Sequence, residues 1–419
     1  MLKALIKFFQ EDCEGTKITP ITMIMDLPTV VMIETKISPI TMIMDLPTVV
    51  MIEILSRLTI KSIFRCKMVC KLWYPILTSD PLFINMYHLK RSSDFPIILL
   101  SINESVRLLV ELKADDSHPI HRAVVLSPMF HLPSPKFSRG NMILIGSCKG
   151  FLCLLSGRRY DIDHRIYISY PILGRYFEVK LPEWEKRIWR VSYAFFFNKA
   201  SGQFKVLRSV VRKSVVSPKV SELEVYTLGA NEKWKNVGMA PEPLCGLFSK
   251  VNINGVIHWM GCKNNENIYS FNNFTEEVQF LSPPCGLQTP FLGLTLRELG
   301  NCLCLSDDSN NQYIDIWWMK EYGIDESWTK QRILKDSFQA DISGDKFIPI
   351  LLWKDGEILM QRDLGTQFVS YNPKENKFMK VKVYGGTGAT SYTPSFYSLN
   401  TVIGECFQVA YAFRKIELV

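Results

Sequence analysis

Two groups of residues in this sequence have the types that hold metal ions: His118 and His121 beside Asp115 and Asp116, and Asp161, Asp163 and His164. Imidazole nitrogens and carboxylate oxygens suit a divalent cation, but neither group has a complete ligand set at a known spacing, and both lie in polar, turn-like stretches. Gly385-Gly386-Thr387-Gly388 has the glycine density of a phosphate-cradling loop. No helix is expected after it to receive an anion at its N-terminus, so a mobile turn is the reading. Cys302 and Cys304 alternate along an expected strand, which places both thiols on one face, where packing is their ordinary role. There is no G-x-S-x-G elbow, P-loop, H-E-x-x-H or paired C-x-x-C. The residue chemistry points to a non-catalytic chain, with no metal and no cofactor expected.

With 47% hydrophobic and 21% charged residues over 419 positions, the chain can bury a sizeable core. A net charge of +8, with no dense Lys/Arg run, gives no sign of nucleic-acid binding. The eleven cysteines are odd in number and sit among apolar neighbours, as reduced thiols do in a cytoplasmic or nuclear protein. Met1–Gln10 lacks the apolar centre of a secretion signal, and no window approaches the roughly 18 uninterrupted apolar residues of a membrane span. The sequons at Asn103 and Asn273 would matter only in a secreted chain.

The elements that would position any site fall into three stretches. In residues 1–44, the segment Thr16–Glu34 recurs as Thr35–Glu53 with Thr19 against Ser38 as the only difference. Only the second copy continues into Ile54-Leu55-Ser56-Arg57-Leu58, so it is expected to be the working one and the first to be a partly disordered extra. Residues 45–90 show helical spacing, with Asp45 as a cap and Pro47 in the first turn. Met51, Ile52, Leu55 and Leu58 form one apolar stripe, and Ile63, Cys66, Cys70, Trp73 and Leu77 another. Two or three short helices are predicted.

Over residues 96–419 the texture changes to short strands rich in β-branched and aromatic residues, punctuated by Gly, Asn, Asp and Pro. Ser169, Ser270 and Ser370 sit in matching strand-turn-strand words 101 and 100 residues apart, each preceded by a glycine-led apolar strand at Gly150, Gly255 and Gly356. Strands ending near Trp234 and Trp328 fall between them. A period of about 100 residues fits two four-stranded blades, hence a β-propeller of about six blades, with a β-sandwich as the alternative.

Leu46-Pro47, Ile54-Leu55-Ser56-Arg57-Leu58, Ile60-Lys61-Ser62-Ile63, Arg65-Cys66-Lys67, Val69-Cys70-Lys71 and Trp73, in that order and spacing, resemble an F-box. Thr59 departs from the proline usual there in the plant family. The β-rich remainder resembles the plant F-box-associated domain through Gly146–Cys153, Gly255–Trp259, Ser270-Phe271, Ile316–Gly323, Glu326–Lys330 and Tyr371-Asn372.

The resemblance implies the substrate-recognition subunit of an SKP-cullin-F-box ubiquitin ligase. An SKP-like adaptor, and through it cullin and RING subunits, would bind at Leu46, Pro47, Ile54, Leu55, Leu58, Ile60, Ser62, Ile63, Arg65, Val69, Cys70 and Trp73. A protein target of unknown identity would bind the β domain for ubiquitination and degradation; no membrane or nucleic-acid partner is implied. Five basic residues and no acid between Ile54 and Tyr74 suit an acidic partner. Loops at Arg158–His164, Asn264–Asn267 and Asp307–Gln312 are candidates for the target face. The alternatives are a propeller scaffold with a vestigial F-box, and a non-functional product of a rearranged locus.

Overall fold

A computed structural model describes residues 46–411 except 59, 61, 64–65, 67–70, 91–96, 102–105, 114–119, 126–129, 132–141, 158–163, 172–174, 184, 186–187, 214–220, 231–232, 241–247, 250, 254, 262–266, 288, 291–292, 336–344, 363–366, 384–385, 387 and 397–409. The chain forms two compact units, residues 1–92 with 395–398, and residues 93–394 with 399–419. The tandem segment Thr16–Glu34, the residues around His118, and the pair Asp161 and Asp163 lie outside the described residues.

In the first unit, helix α1 spans Thr48–Leu55, α2 Trp73–Ser79 and α3 Pro81–Lys90. Pro47 is the N-cap of α1, in an extended conformation (φ −54°, ψ 141°), so the helix begins one residue later than the sequence predicts. Asp80 caps α3: its Oδ1 accepts the N–H groups of Leu82 and Phe83 at 2.8 and 3.1 Å, and Pro81 occupies the position where a missing N–H costs nothing.

The second unit is a six-bladed β-propeller, and a sandwich is excluded by its topology. Blade 2 runs Met142–Cys148, Phe151–Ser156, Arg165–Tyr170, Arg175–Val179; blade 3 Ile188–Asn198, Gln203–Arg212, Ser221–Thr227, Trp234–Ala240. Blade 4 is Asn252–Ile253, Val256–Met260, Ile268–Asn272, Glu277–Leu281; blade 5 Leu294–Leu299, Cys302–Asp307, Tyr313–Met319, Trp328–Leu334; blade 6 Phe347–Leu352, Ile358–Arg362, Phe368–Asn372, Lys377–Lys382.

Blade 1 is assembled from both ends of the unit. Gly388–Tyr392 pairs antiparallel with Ile97–Ser101, followed by Val106–Lys113 and Ile120–Val125. Gly388 thus opens a strand, while Gly385 and Thr387 lie outside the described residues. The Tyr392 hydroxyl donates to the Gly150 carbonyl at 2.8 Å, tying the closing strand to blade 2.

The sequence period has a structural counterpart. Ser169, Ser270 and Ser370 lie in the third strands of blades 2, 4 and 6, all buried, and Gly150, Gly255 and Gly356 turn into the second strands of the same blades. Trp234 and Trp328 open the fourth strands of blades 3 and 5, and each indole N–H donates across to the preceding blade, to the carbonyls of Lys180 and Ser282, both at 3.0 Å.

Apolar seams join neighbouring blades. Leu299, Ile314, Ile316 and Trp318 of blade 5 pack on Phe347, Ile358, Met360 and Tyr371 of blade 6. Phe196, Leu207 and Val225 of blade 3 pack on Ile257, Trp259 and Phe271 of blade 4. Asn273, one of the sequons, is buried in this second seam: its Nδ2 donates to the Gly255 carbonyl at 2.8 Å, and its own carbonyl accepts from Asn198 at 3.0 Å.

Gly255 has no room for a side chain. Its φ is +89°, and a Cβ there would stand 2.3 Å from Asn273 Nδ2 and 2.8 Å from the Phe197 carbonyl. Gly323 has a similar φ of +84° with open space around it. Gly255→Ala should therefore lower stability by about 3 kcal/mol and Gly323→Ala by about 1 kcal/mol, an order that denaturant midpoints would check.

Candidate functional site

The helical unit is small, and most of its apolar residues are consumed in holding it together. Met51, Ile52, Ile54 and Leu55 of α1, then Leu58, Ile60, Ile63 and Cys66, and Trp73 and Leu77 of α2, are all buried. Ser56 is fully buried at the C-cap of α1 and donates to the Glu53 carbonyl at 2.9 Å. Burial pushes the Cys66 thiol up to about 12, so it stays protonated and acts as an apolar filler.

Of the residues expected to meet an adaptor, Ile54, Leu55, Leu58, Ile60, Ser62, Ile63 and Trp73 lie in this interior. Leu46 is half-buried and Pro47 exposed, while Arg65, Val69 and Cys70 lie outside the described residues. The apolar side chains that face outward are others: Val49 (62% exposed), Val50 (37%), Leu72 (68%), Tyr74 (44%) and Leu82 (45%).

At 100° per residue, positions 49, 50 and 53 fall opposite 51, 52 and 55 on α1, so the outward pair was recoverable from periodicity as an apolar interruption of the solvent face. Beside it, Arg57 Nε donates to Glu53 Oε1 at 2.9 Å, one turn apart in the favourable orientation. Arg57 therefore carries its own carboxylate partner, and Lys71 is exposed.

In the propeller, the three candidate loops are the same kind of connection. Arg158–His164, Asn264–Asn267 and Asp307–Gln312 each join the second strand of a blade to the third, in blades 2, 4 and 5. Antiparallel alternation brings all three out on one face of the ring. Residues 158–163 and 264–266 lie outside the described residues.

The blade 5 loop is tightly organised. Asp307 Oδ1 accepts the Ser309 N–H at 3.0 Å and Asn310 Oδ1 the Gln312 N–H at 2.7 Å, two successive side-chain turns. Lys335, only 2% exposed, pairs with Asp308 and donates to the carbonyls of Asn310 at 3.0 Å and Asp345 at 3.1 Å. Asp308 also accepts the Phe347 N–H, and Asp345 pairs with Arg362 at 2.8 Å. Burial raises the Asp308 carboxyl, and Lys335 and the Phe347 N–H draw it back only in part. One buried ammonium thus fastens the blade 5 loop to the connection between blades 5 and 6. A lysine between Leu334 and Asp336 gives no sequence signal of this, because its partners come from other loops.

Exposed apolar side chains also mark strand ends on this face: Trp189 at 41% and Met239 at 64% in blade 3, and Leu334 at 45% in blade 5. The Arg190 guanidinium lies over the Trp189 ring, 4.9 Å from its centre.

Both histidines with a described side chain are hydrogen-bonded to tyrosines. His164 Nε2 lies 2.6 Å from the Tyr193 hydroxyl, and His258 Nε2 lies 2.8 Å from that of Tyr322. Burial drives the His258 imidazole down to about 4, so it is neutral at physiological pH. Cys304 is buried in blade 5, and burial raises its thiol far above the ordinary range. Among the described residues, no three His, Cys, Asp or Glu side chains gather as metal ligands, and no helix is long and apolar enough to cross a membrane.

Comparison with known proteins assigns both units. The family model described as F-box domain matches residues 43–85, and the one described as F-box associated beta propeller domain matches residues 98–411. F-box protein At3g07870 of Arabidopsis thaliana is 26% identical over 381 residues, covering 80% of this chain and 86% of that protein. F-box/kelch-repeat protein At3g23880 of the same plant is 23% identical over 296 residues, 66% of this chain and 76% of its own length. F-box protein DOR, also from Arabidopsis thaliana, is 31% identical over 211 residues, 49% of this chain and 52% of that protein.

Two measurements follow from these sites. Immediately after the first copy of the tandem segment, Thr35, Lys36 and Pro39 stand where the chain after the second copy has the buried Ile54, Leu55 and Leu58. Deleting residues 16–34 should therefore leave the unfolding midpoint and the helical signal unchanged, read by circular dichroism. For His258, the unfolded chain takes up a proton between pH 6.5 and 4 that the folded chain refuses, so stability falls as pH falls through that window. The loss should be about 2 kcal/mol between pH 7 and 5, and smaller by that amount in His258→Gln, as urea titrations at the two pH values would show.

Proposed function

We propose, since this chain belongs to the F-box associated beta propeller family, that it is the substrate-recognition subunit of an SKP-cullin-F-box ubiquitin ligase. The observation that carries the reading is one chain with both an F-box match over residues 43–85 and a complete six-bladed propeller. The helices dock on an SKP-like adaptor, which links to cullin and RING subunits. The propeller holds a protein target.

In this arrangement Leu46 and Pro47, with the outward Val49 and Val50, form the apolar contact at the start of α1, and Leu72 and Tyr74 add apolar area around α2. Ile54, Leu55, Leu58, Ile60, Ser62, Ile63 and Trp73 act from inside, by fixing the helices that present those side chains. Arg65, Val69 and Cys70 belong to the same proposed docking segment. The basic residues of the segment match an acidic partner and speed encounter more than they tighten the complex.

The chain performs no bond chemistry in this role. Its contribution is to raise the effective concentration of a target lysine near a charged ubiquitin-conjugating enzyme, an entropic service. The loop face of the propeller is the proposed target surface. Lys335 holds the blade 5 loop Asp307–Gln312 through Asp308 and the Asn310 carbonyl, so a target would meet that loop already ordered.

Co-purification with an SKP-like adaptor tests the reading through two variants with different failure modes. Val49→Glu with Val50→Glu should weaken capture at least about tenfold while leaving the unfolding midpoint unchanged, because only exposed side chains change. Leu55→Asp should abolish capture by unfolding the helical unit. A well-folded natural chain that captures no adaptor would overturn the ligase role and leave a propeller scaffold with a vestigial F-box.

A further inference from the structure

The helical unit contains a residue from the far end of the chain. Residues 395–398 belong to it. Phe396 is 1% exposed, and its ring stands 5.3 Å from that of Phe83 and 4.8 Å, edge-on, from that of Tyr87. Phe83 and Tyr87 are 5.9 Å apart and themselves 0% and 1% exposed. The three rings form one closed aromatic cluster in which α3 supplies two members and residue 396 the third. Ser395 is also fully buried.

The F-box match ends at residue 85 and does not contain this residue. A unit of about 45 residues buries too little apolar surface to hold itself firmly, so one large aromatic side chain is a substantial part of its core. Removing the Phe396 ring would leave Phe83 and Tyr87 facing a cavity or water.

The position of Phe396 along the chain supplies the second half of the argument. It follows the closing strand Gly388–Tyr392 by four residues, with Pro394 stiffening the link. That strand completes blade 1 by pairing with Ile97–Ser101. A chain that ends before residue 388 has neither the closing strand nor the third ring of the aromatic cluster.

We propose that Phe396 makes the fold of the helical unit conditional on completion of the propeller, so that only receptors with a full closing segment present ordered docking helices. The structural part stands on the aromatic cluster; its consequence for adaptor capture rests on the ligase reading above. Incomplete or C-terminally damaged receptors would then be unable to occupy a limited pool of adaptor.

Hydrogen exchange on the full-length chain tests this, with the natural chain, Phe396→Ala, Phe396→Leu and, as a propeller control, Phe271→Ala. In Phe396→Ala the amides of α3 should exchange at least tenfold faster while those of Ile97–Ser101 keep their protection. Phe396→Leu should recover most of the difference, and Phe271→Ala should loosen blades 3 and 4 without exposing α3. Unchanged α3 protection in Phe396→Ala would overturn the proposal. So would equal loss in α3 and the blade strands, which would make Phe396 a propeller residue. Adaptor capture measured on the same samples should fall at least tenfold in Phe396→Ala. If α3 loosens but the natural chain captures no adaptor, the ligase reading fails and the coupling within the fold stands.

Discussion

Each blade of the propeller is apolar on both of its faces, and that constraint organises the rest of the molecule. In blade 6, Ile358, Met360, Val369 and Tyr371 point to the seam with blade 5, while Leu359, Phe368 and Val381 point to the seam with blade 1. Alternate residues of one strand serve opposite neighbours, so no blade can be covered by a single partner. A row of such sheets always has two uncovered ends unless it closes on itself. The ring is the solution, and it requires one sheet to be built from both ends of the unit.

Two-faced burial also explains what could be read along the chain. Runs such as Phe151–Leu155 are continuously apolar instead of alternating, and with their turn punctuation they mark buried strands. The words around Ser169, Ser270 and Ser370 repeat because blades 2, 4 and 6 need the same small buried residue at the same strand position. The closing strand Gly-Ala-Thr-Ser-Tyr has none of this apolar signal, and its partner lies at the other end of the unit. Closure is a long-range pairing with no local cause, and nothing near residue 388 announces it. The indole bonds of Trp234 and Trp328 were hidden for the same reason: the residues stood out, but their acceptors belong to neighbouring blades.

The helical unit was legible in order and type. Of the residues expected to meet a partner, Leu55, Leu58 and Ile63 are buried within the unit. Periodicity reports which residues share a face and cannot say whether that face meets the same chain or another one. The outward Val49 and Val50 carry the opposite signal, apolar residues where solvent is expected. Phe396 gives no signal of this role in the sequence, because an aromatic between Ser395 and Tyr397 looks like any strand residue. On the loop face, Asp307–Gln312 was recognised as polar, but the buried Lys335 that holds it was not, since lysine is ordinarily solvated.

The closing pair has a consequence in time. Ile97–Leu100 is an apolar strand whose residues are all buried once both edges are paired. Its second partner begins 291 residues later, at Gly388 (388 − 97). At a synthesis rate of about 5–20 residues per second, that edge waits roughly 15–60 s on the ribosome before its partner exists. Throughout this interval the nascent chain displays a β-rich, uncharged edge able to pair with any other strand it meets. The interval thus sets translation of the closing strand against misassembly of the waiting edge.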